Sequence, residues 1–112
     1  MITKAQKERL EAASRIGKTV RFKDKRTGEV YRLGTVEDEV YIVVGDYKHM
    51  IQRIRFHEGI SWDSSKFGYR TGYYTFDKNM KRVIWGRYTQ FLTEREYRKL
   101  LGKAQSKGWS VF

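Results

Sequence analysis

One stretch decides the fold of this 112-residue chain: VYIVVGDYKHMIQRIRF, residues 40–56. Residues 40–44 are β-branched or aromatic without polar alternation, which is typical of a strand buried on both faces. Residues 45–48 begin with Gly45 and Asp46, residues that favour turns. Residues 49–56 then alternate in polarity with the period of a strand. The stretch therefore predicts two antiparallel strands joined by a short turn.

Further strands are predicted on both sides of this hairpin. A period of two and β-branched or aromatic residues recur between clusters of turn residues. An acidic turn is expected at residues 37–39, and residues 77–80 are expected to turn the last hairpin. The predicted strands are residues 18–23, 29–36, 40–44, 49–56, 67–76 and 82–89.

A helix is predicted at each end of the chain. Thr3 and Gln6 have the spacing of a capping box, which predicts a helix over residues 4–16 with an apolar face made mostly of alanines. Thr93 and Glu96 repeat that spacing before a second helix. The apolar face expected for this second helix consists of Tyr97, Leu100, Leu101 and Ala104.

These elements together predict the fold class α+β. We expect a compact antiparallel β-sheet or SH3-like barrel of about six short strands, flanked by N- and C-terminal helices. The length suits a single domain, residues 1–112.

The charge of the chain points to a polyanionic partner. Lys and Arg number 24 against 13 Asp and Glu, which leaves a net charge of +11. Cysteine is absent, so thiol chemistry and cysteine metal sites are excluded. The sequence shows no signal-peptide pattern and no long apolar run, which predicts a cytoplasmic protein without a membrane partner. No cofactor is expected, and the oligomeric state is left open.

Aromatic rings, glycines and cations are interleaved between residues 66 and 87. Exposed rings can stack on bases while cations hold phosphates, so this pattern favours a DNA- or RNA-binding module. Gly68 and Gly72 are expected to let a nucleic-acid backbone approach closely. A second cationic cluster is expected on the strand at residues 49–56, where His49 shares a face with two arginines. The residues predicted to bind nucleic acid are Arg53, Arg55, Lys66, Tyr69, Arg70, Tyr73, Lys81, Arg82 and Arg87.

The first strand extends this second cluster if it lies near the strand at residues 49–56. In that case Arg21 and Lys23 join the same cationic face. Such a face neutralises phosphates and makes the affinity fall as salt rises.

Two other classes of function remain open. A small nuclease could use Asp46 and Lys48 around a metal ion, with Asp38 or Glu39 as a second carboxylate. A metal-free ribonuclease would instead use histidine as the general base and arginine to stabilise the transition state. Its candidate residues are His49, His57, Glu58, Arg53 and Arg55. The third possibility is a basic adaptor that docks on an acidic protein.

Overall fold

The structure, a computed structural model, describes residues 2–57 and 66–110. These residues form two helices and five strands that lie in one sheet in the order β1-β2-β3-β4-β5. The fold class is therefore α+β with an antiparallel sheet, as predicted. The elements are α1 Lys4–Ala12, β1 Thr19–Lys23, β2 Val30–Val44, β3 Tyr47–Phe56, β4 Phe67–Phe76, β5 Val83–Trp85 and α2 Glu94–Ser106.

The chain divides into two compact units. The first unit comprises Met1–Ser14, Val40–Ile51 and Thr71–Phe112, and the second comprises Arg15–Glu39 and Gln52–Arg70. The strands β2, β3 and β4 contribute residues to both units, so each unit has its own part of the sheet. Within the described ranges, neither helix is long and apolar enough to cross a membrane.

The core of the first unit lies on both faces of its sheet. One buried cluster joins the helix α2 to the sheet, and the other joins the helix α1 to it. Ile51 of β3 belongs to the α2 cluster, whereas its neighbour Met50 belongs to the α1 cluster. Because side chains alternate along a strand, β3 is covered on both faces here. The buried members are Val40, Ile42, Ile51, Leu100, Ala104 and Trp109 in the first cluster and Leu10, Met50, Tyr74 and Phe76 in the second.

The second unit has a smaller core. Val20 of β1, Val36 of β2 and Ile54 of β3 are buried together, and the rings of Phe22 and Phe56 pack against them. All five of these residues have even numbers, so one face of this part of the sheet is apolar. The side chains of the odd-numbered residues on these strands lie on the opposite face of the sheet.

The strand β2 is longer than predicted, since the acidic residues expected to turn the chain lie within it. The carboxylate of Glu37 lies 3.3 Å from the guanidinium of Arg53 on β3. Glu39 accepts a hydrogen bond of 2.6 Å from the side-chain amide of Gln52. Partners on β3 satisfy these side chains, so the backbone continues as a strand and the described sheet has five strands rather than six.

The helix α1 ends at Ala12 and not at the predicted residue 16. The ammonium of Lys48 donates hydrogen bonds to the carbonyl oxygens of Glu11, at 2.7 Å, and Ala13. These contacts satisfy carbonyl groups that the end of a helix leaves unpaired. The residue that α1 buries completely is Leu10, which was missing from the predicted apolar face.

The helix α2 begins as predicted. The hydroxyl of Thr93 accepts a hydrogen bond of 3.2 Å from the backbone N–H of Glu96, and the Glu96 carboxylate accepts one of 2.9 Å from the Thr93 N–H. Leu100 and Ala104 are buried. Tyr97 was predicted on the same buried face, but it is half exposed. The buried face of α2 is thus narrower than the apolar pattern suggests.

Candidate functional site

Cations and aromatic rings share the odd-numbered face of the sheet in the second unit. The strand β1 pairs with β2 so that Arg21 is opposite Leu33, and the backbone N–H of His57 donates to the Leu33 carbonyl at 2.9 Å. Since side chains alternate along each strand, Arg21 and Lys23 share one face of β1, and Lys23 is opposite Val30 because the register shifts after Phe22. The odd-numbered residues of β3 and β4 lie on the same face as Leu33. We call its exposed cations and rings the basic strand face, which consists of Arg21, Lys23, Arg55, Phe67 and Tyr69.

The side chain of Arg53 contacts the basic strand face and is held there by two neighbours. Its guanidinium lies 4.0 Å from the centre of the Phe67 ring, and its Nη1 atom lies 3.3 Å from the Glu37 carboxylate. The ion pair and the cation–π contact fix the position of the guanidinium. The rings of Phe67 and Tyr69 are each 37% exposed. The face therefore combines exposed cations with partly accessible rings.

The structure brings together only part of the predicted set of binding residues. The basic strand face contains Arg55 and Tyr69, and Arg53 contacts it through the Phe67 ring. Lys66 is exposed immediately before β4. Arg70 extends from the opposite face of β4, where its Nε donates a hydrogen bond of 2.8 Å to the side-chain oxygen of Gln52. Arg70 is therefore bound on the opposite face of the sheet and does not belong to the basic strand face.

The other predicted residues belong to the first unit. Lys81 and Arg82 are exposed just before β5, and Arg87 is exposed after it. Tyr73 is only 6% exposed, so the expectation of an accessible stacking ring is wrong at this position. His49 is 5% exposed and also lies in the first unit, so it does not belong to the basic strand face.

The prediction for Gly68 and Gly72 is wrong as well. A Cβ atom at Gly68 would lie 2.5 Å from the Phe56 ring, and one at Gly72 would lie 2.1 Å from the Trp85 ring. The chain's own rings occupy the space that was expected for a nucleic-acid backbone. These glycines let aromatic side chains of neighbouring strands pack against the sheet.

The last strand is shorter than predicted, because β5 ends at Trp85 and the chain then leaves the sheet. The N–H of Gly86 donates to the Tyr73 carbonyl at 2.8 Å, and the N–H of Tyr88 donates to the Tyr73 hydroxyl at 3.1 Å. The side-chain amide of Gln90 donates to the Gly72 carbonyl at 2.8 Å. These three bonds hold residues 86–90 in an irregular path.

This irregular segment forms one wall of a pocket in the first unit. The pocket has a volume of about 420 Å³. Such a size and an aromatic lining are typical of small-molecule sites, which measure roughly 300–1,000 Å³. The lining residues are Val44, Tyr47, His49, Tyr73, Tyr88, Thr89, Phe91 and Glu96. We call this cavity the aromatic pocket.

The imidazole of His49 and the carboxylate of Glu96 line the aromatic pocket beside its tyrosines. The Gln90 amide lies 3.1 Å from Nδ1 of His49, whose ring stacks on Tyr47 with 6.0 Å between centres. Burial lowers the pKa of His49, and the negative charge of Glu96 offsets part of that effect. Hydrogen bonds from the backbone and hydroxyl of Thr93 lower the pKa of Glu96. At neutral pH the pocket therefore holds a neutral imidazole and an ionised carboxylate.

The nuclease hypotheses find little support in these arrangements. The side chain of Lys48 is 2% exposed and caps α1, so its ammonium is not positioned to orient water at Asp46. The Nε2 atom of His57 is hydrogen-bonded to the Thr35 hydroxyl at 2.8 Å. Glu58 lies outside the described residues. Among residues 2–57 and 66–110, no three His, Asp or Glu side chains are grouped to hold a metal ion.

The chain was compared with models of protein families, with curated proteins and with solved structures, and none of them matches. A function for this protein therefore rests on the chemistry of the basic strand face and the aromatic pocket.

Proposed function

We propose that this protein binds single-stranded nucleic acid on the basic strand face. The observation that supports the proposal is the placement of three exposed cations, Arg21, Lys23 and Arg55, on the same face as two partly exposed rings. Cations of this kind neutralise phosphates and release condensed counterions. The net charge of +11 adds long-range attraction for a polyanion.

The rings favour a single strand over a duplex. Bases of a single strand are free to stack on aromatic side chains or on the plane of an arginine guanidinium, whereas bases of a duplex already stack on one another. Tyr69 offers a ring, and Arg53 offers a guanidinium already held against Phe67. In this proposal the cations hold the backbone while Tyr69 and the Arg53–Phe67 pair contact bases.

Fluorescence anisotropy with labelled 20-nucleotide DNA and RNA, single-stranded and duplex, tests the proposal. We expect saturable binding to single strands and weaker binding to duplexes. The substitution Tyr69→Ala should weaken single-strand binding by about fivefold or more, because stacking on one ring contributes roughly 1–3 kcal/mol per base. Tyr97→Ala is the matched control, since this tyrosine is also half exposed but lies in the first unit. Absence of binding to every probe at low salt would refute the proposal and favour the protein-adaptor hypothesis.

The same samples separate binding from cleavage. We expect the labelled strands to stay intact on a denaturing gel, with or without magnesium. Cleavage that needs magnesium and disappears in Asp46→Asn would support the metal-dependent nuclease instead. Cleavage without a metal that disappears in His57→Gln would support the ribonuclease.

A further inference from the structure

The aromatic pocket displays two rings that have little contact with the rest of the fold. Tyr88 is 86% exposed and Phe91 is 81% exposed. Apolar surface left in water is unfavourable relative to burial. Hydrogen bonds at Gly86, Tyr88 and Gln90 nevertheless hold the backbone of this segment in place. Rings that are exposed on a fixed backbone are suited to stack on a planar ligand.

His49 and Glu96 add a donor and an acceptor to the wall of the pocket. The Gln90 amide donates to Nδ1 of His49, so the neutral imidazole carries its proton on Nε2 and can donate there. The carboxylate of Glu96 accepts from the Thr93 N–H through Oε1, and its remaining lone pairs can accept further hydrogen bonds. A ligand that matches this wall needs an acceptor close to one or more N–H donors.

A guanine base meets this requirement. Its edge presents the O6 acceptor next to the N1–H and N2–H donors, so an imidazole N–H can donate to O6 while a carboxylate accepts from the two nitrogens. Adenine and cytosine each have one amino group and no adjacent ring N–H at that edge, and uracil has one ring N–H beside its carbonyl acceptors and no amino group. Guanine alone of the four therefore offers the carboxylate two adjacent donors. We propose that the aromatic pocket binds a guanine base between its exposed rings, with His49 and Glu96 as the polar contacts.

The phosphate of such a ligand has a nearby cation. Arg87 is exposed and directly precedes Tyr88 in the chain. A phosphate that remains outside the pocket can therefore be neutralised by this guanidinium. The ligand chemistry is shared by a free guanine nucleotide and by a guanine within a strand.

A methylated ammonium group is the main competing ligand, since aromatic rings and a carboxylate also suit a cation. Such a ligand would leave the His49 N–H without an acceptor. The first unit also carries thirteen Lys and Arg residues against six Asp and Glu, which repels a cationic ligand. The positive charge of the first unit and the His49 N–H both favour a guanine base over a methylated ammonium group.

This inference goes beyond the proposed function, because the aromatic pocket and the basic strand face belong to different units. The full chain should be titrated calorimetrically with GMP, AMP, CMP and choline. We expect GMP to bind about tenfold more tightly than AMP, and choline not to bind. The substitution Glu96→Gln preserves the capping-box residue type and should weaken GMP binding about tenfold while changing AMP binding by less than about twofold. Phe91→Ala should weaken both nucleotides, and Tyr97→Ala should weaken neither.

Oligonucleotides distinguish the two sources of the base. A strand that binds more tightly with guanine than without it, and loses this preference in Glu96→Gln, identifies a base within a strand. GMP binding without such a preference identifies a free nucleotide as the ligand. Either result supports the proposal that the aromatic pocket binds a guanine base. The inference is overturned if GMP does not bind at millimolar concentration, if choline binds more tightly than GMP, or if Glu96→Gln leaves the GMP-to-AMP ratio unchanged. Binding of strands with no binding of GMP would refute this inference alone and leave the proposed function standing.

Discussion

The salt dependence of single-strand binding follows from the cations of the basic strand face. Arg21, Lys23 and Arg55 are exposed there, whereas Arg53 is paired with Glu37 at 3.3 Å. Each phosphate neutralised on a single strand contributes about −0.7 to the slope of log affinity against log salt. Three contacts therefore predict a slope near −2.1, which corresponds to an affinity loss of about 20-fold between 50 and 200 mM salt.

The triple substitution Arg21→Gln, Lys23→Gln and Arg55→Gln removes these contacts. We expect the slope to approach zero, while the free energy of unfolding changes little because exposed positions tolerate substitution within about 0.5 kcal/mol each. The assay is anisotropy of a labelled single strand at five salt concentrations, with urea unfolding measured on the same protein.

A matched control carries Lys4→Gln, Lys78→Gln and Lys99→Gln. These three residues are exposed in the first unit, so the control loses the same charge from a different place. We expect the control to keep a slope near −2.1. Equal slopes for the two triple variants would show that net charge and not the basic strand face attracts the strand, and the proposed site would be wrong.

Three further predictions concern the packing and the pH dependence of the first unit. Gly86→Ala should lower the free energy of unfolding by about 1–3 kcal/mol in urea, because the added Cβ would lie 2.0 Å from the Tyr73 ring; an unchanged midpoint would mean that the ring moves away freely. Lys48→Met should cost about 1–3 kcal/mol in the same assay, since the carbonyls at the end of α1 lose their donor; equal stability would argue that water replaces the ammonium. Burial lowers the pKa of His49 below its usual 6.5. As the pH falls, the His49 imidazole is therefore protonated in the unfolded chain before it is protonated in the folded protein. The free energy of unfolding should be constant above about pH 7 and decline below 6.5. His49→Gln should remove this decline when urea midpoints at pH 7.5 and 5.5 are compared; an identical decline in both proteins would contradict the assignment.

The sequence predicted the elements whose signals are local. The capping boxes at Thr3 and Thr93 depend on side chains three residues apart, so both helix starts were correct. The alternation along residues 49–56 likewise placed Arg53 and Arg55 on one face, and the structure adds Arg21 to it through pairing of β1 with β2. The end of α1 was wrong, because it depends on Lys48, which is far along the chain.

The aromatic pocket could not be predicted in the same way. Its segment was expected to continue as a strand to residue 89, because Tyr88 and Thr89 are ordinary strand residues. The chain leaves the sheet at Gly86, where the Tyr73 ring packs against the backbone and Gln90 bonds to the Gly72 carbonyl. One feature of the sequence points to the pocket: the aromatic residues Tyr88 and Phe91 lie between Gly86 and the capping box that begins at Thr93.

The sequence by itself determined the composition, the charge of +11, the alternating strands and the starts of the helices, because these follow from residue types and short spacings. The tertiary structure decided which rings are buried and which stay exposed. Tyr73 and Tyr88 are both tyrosines after small or cationic residues, yet one is 6% exposed and the other 86%. That difference arises from what packs against each ring, and packing partners are chosen by contacts between residues distant in the chain.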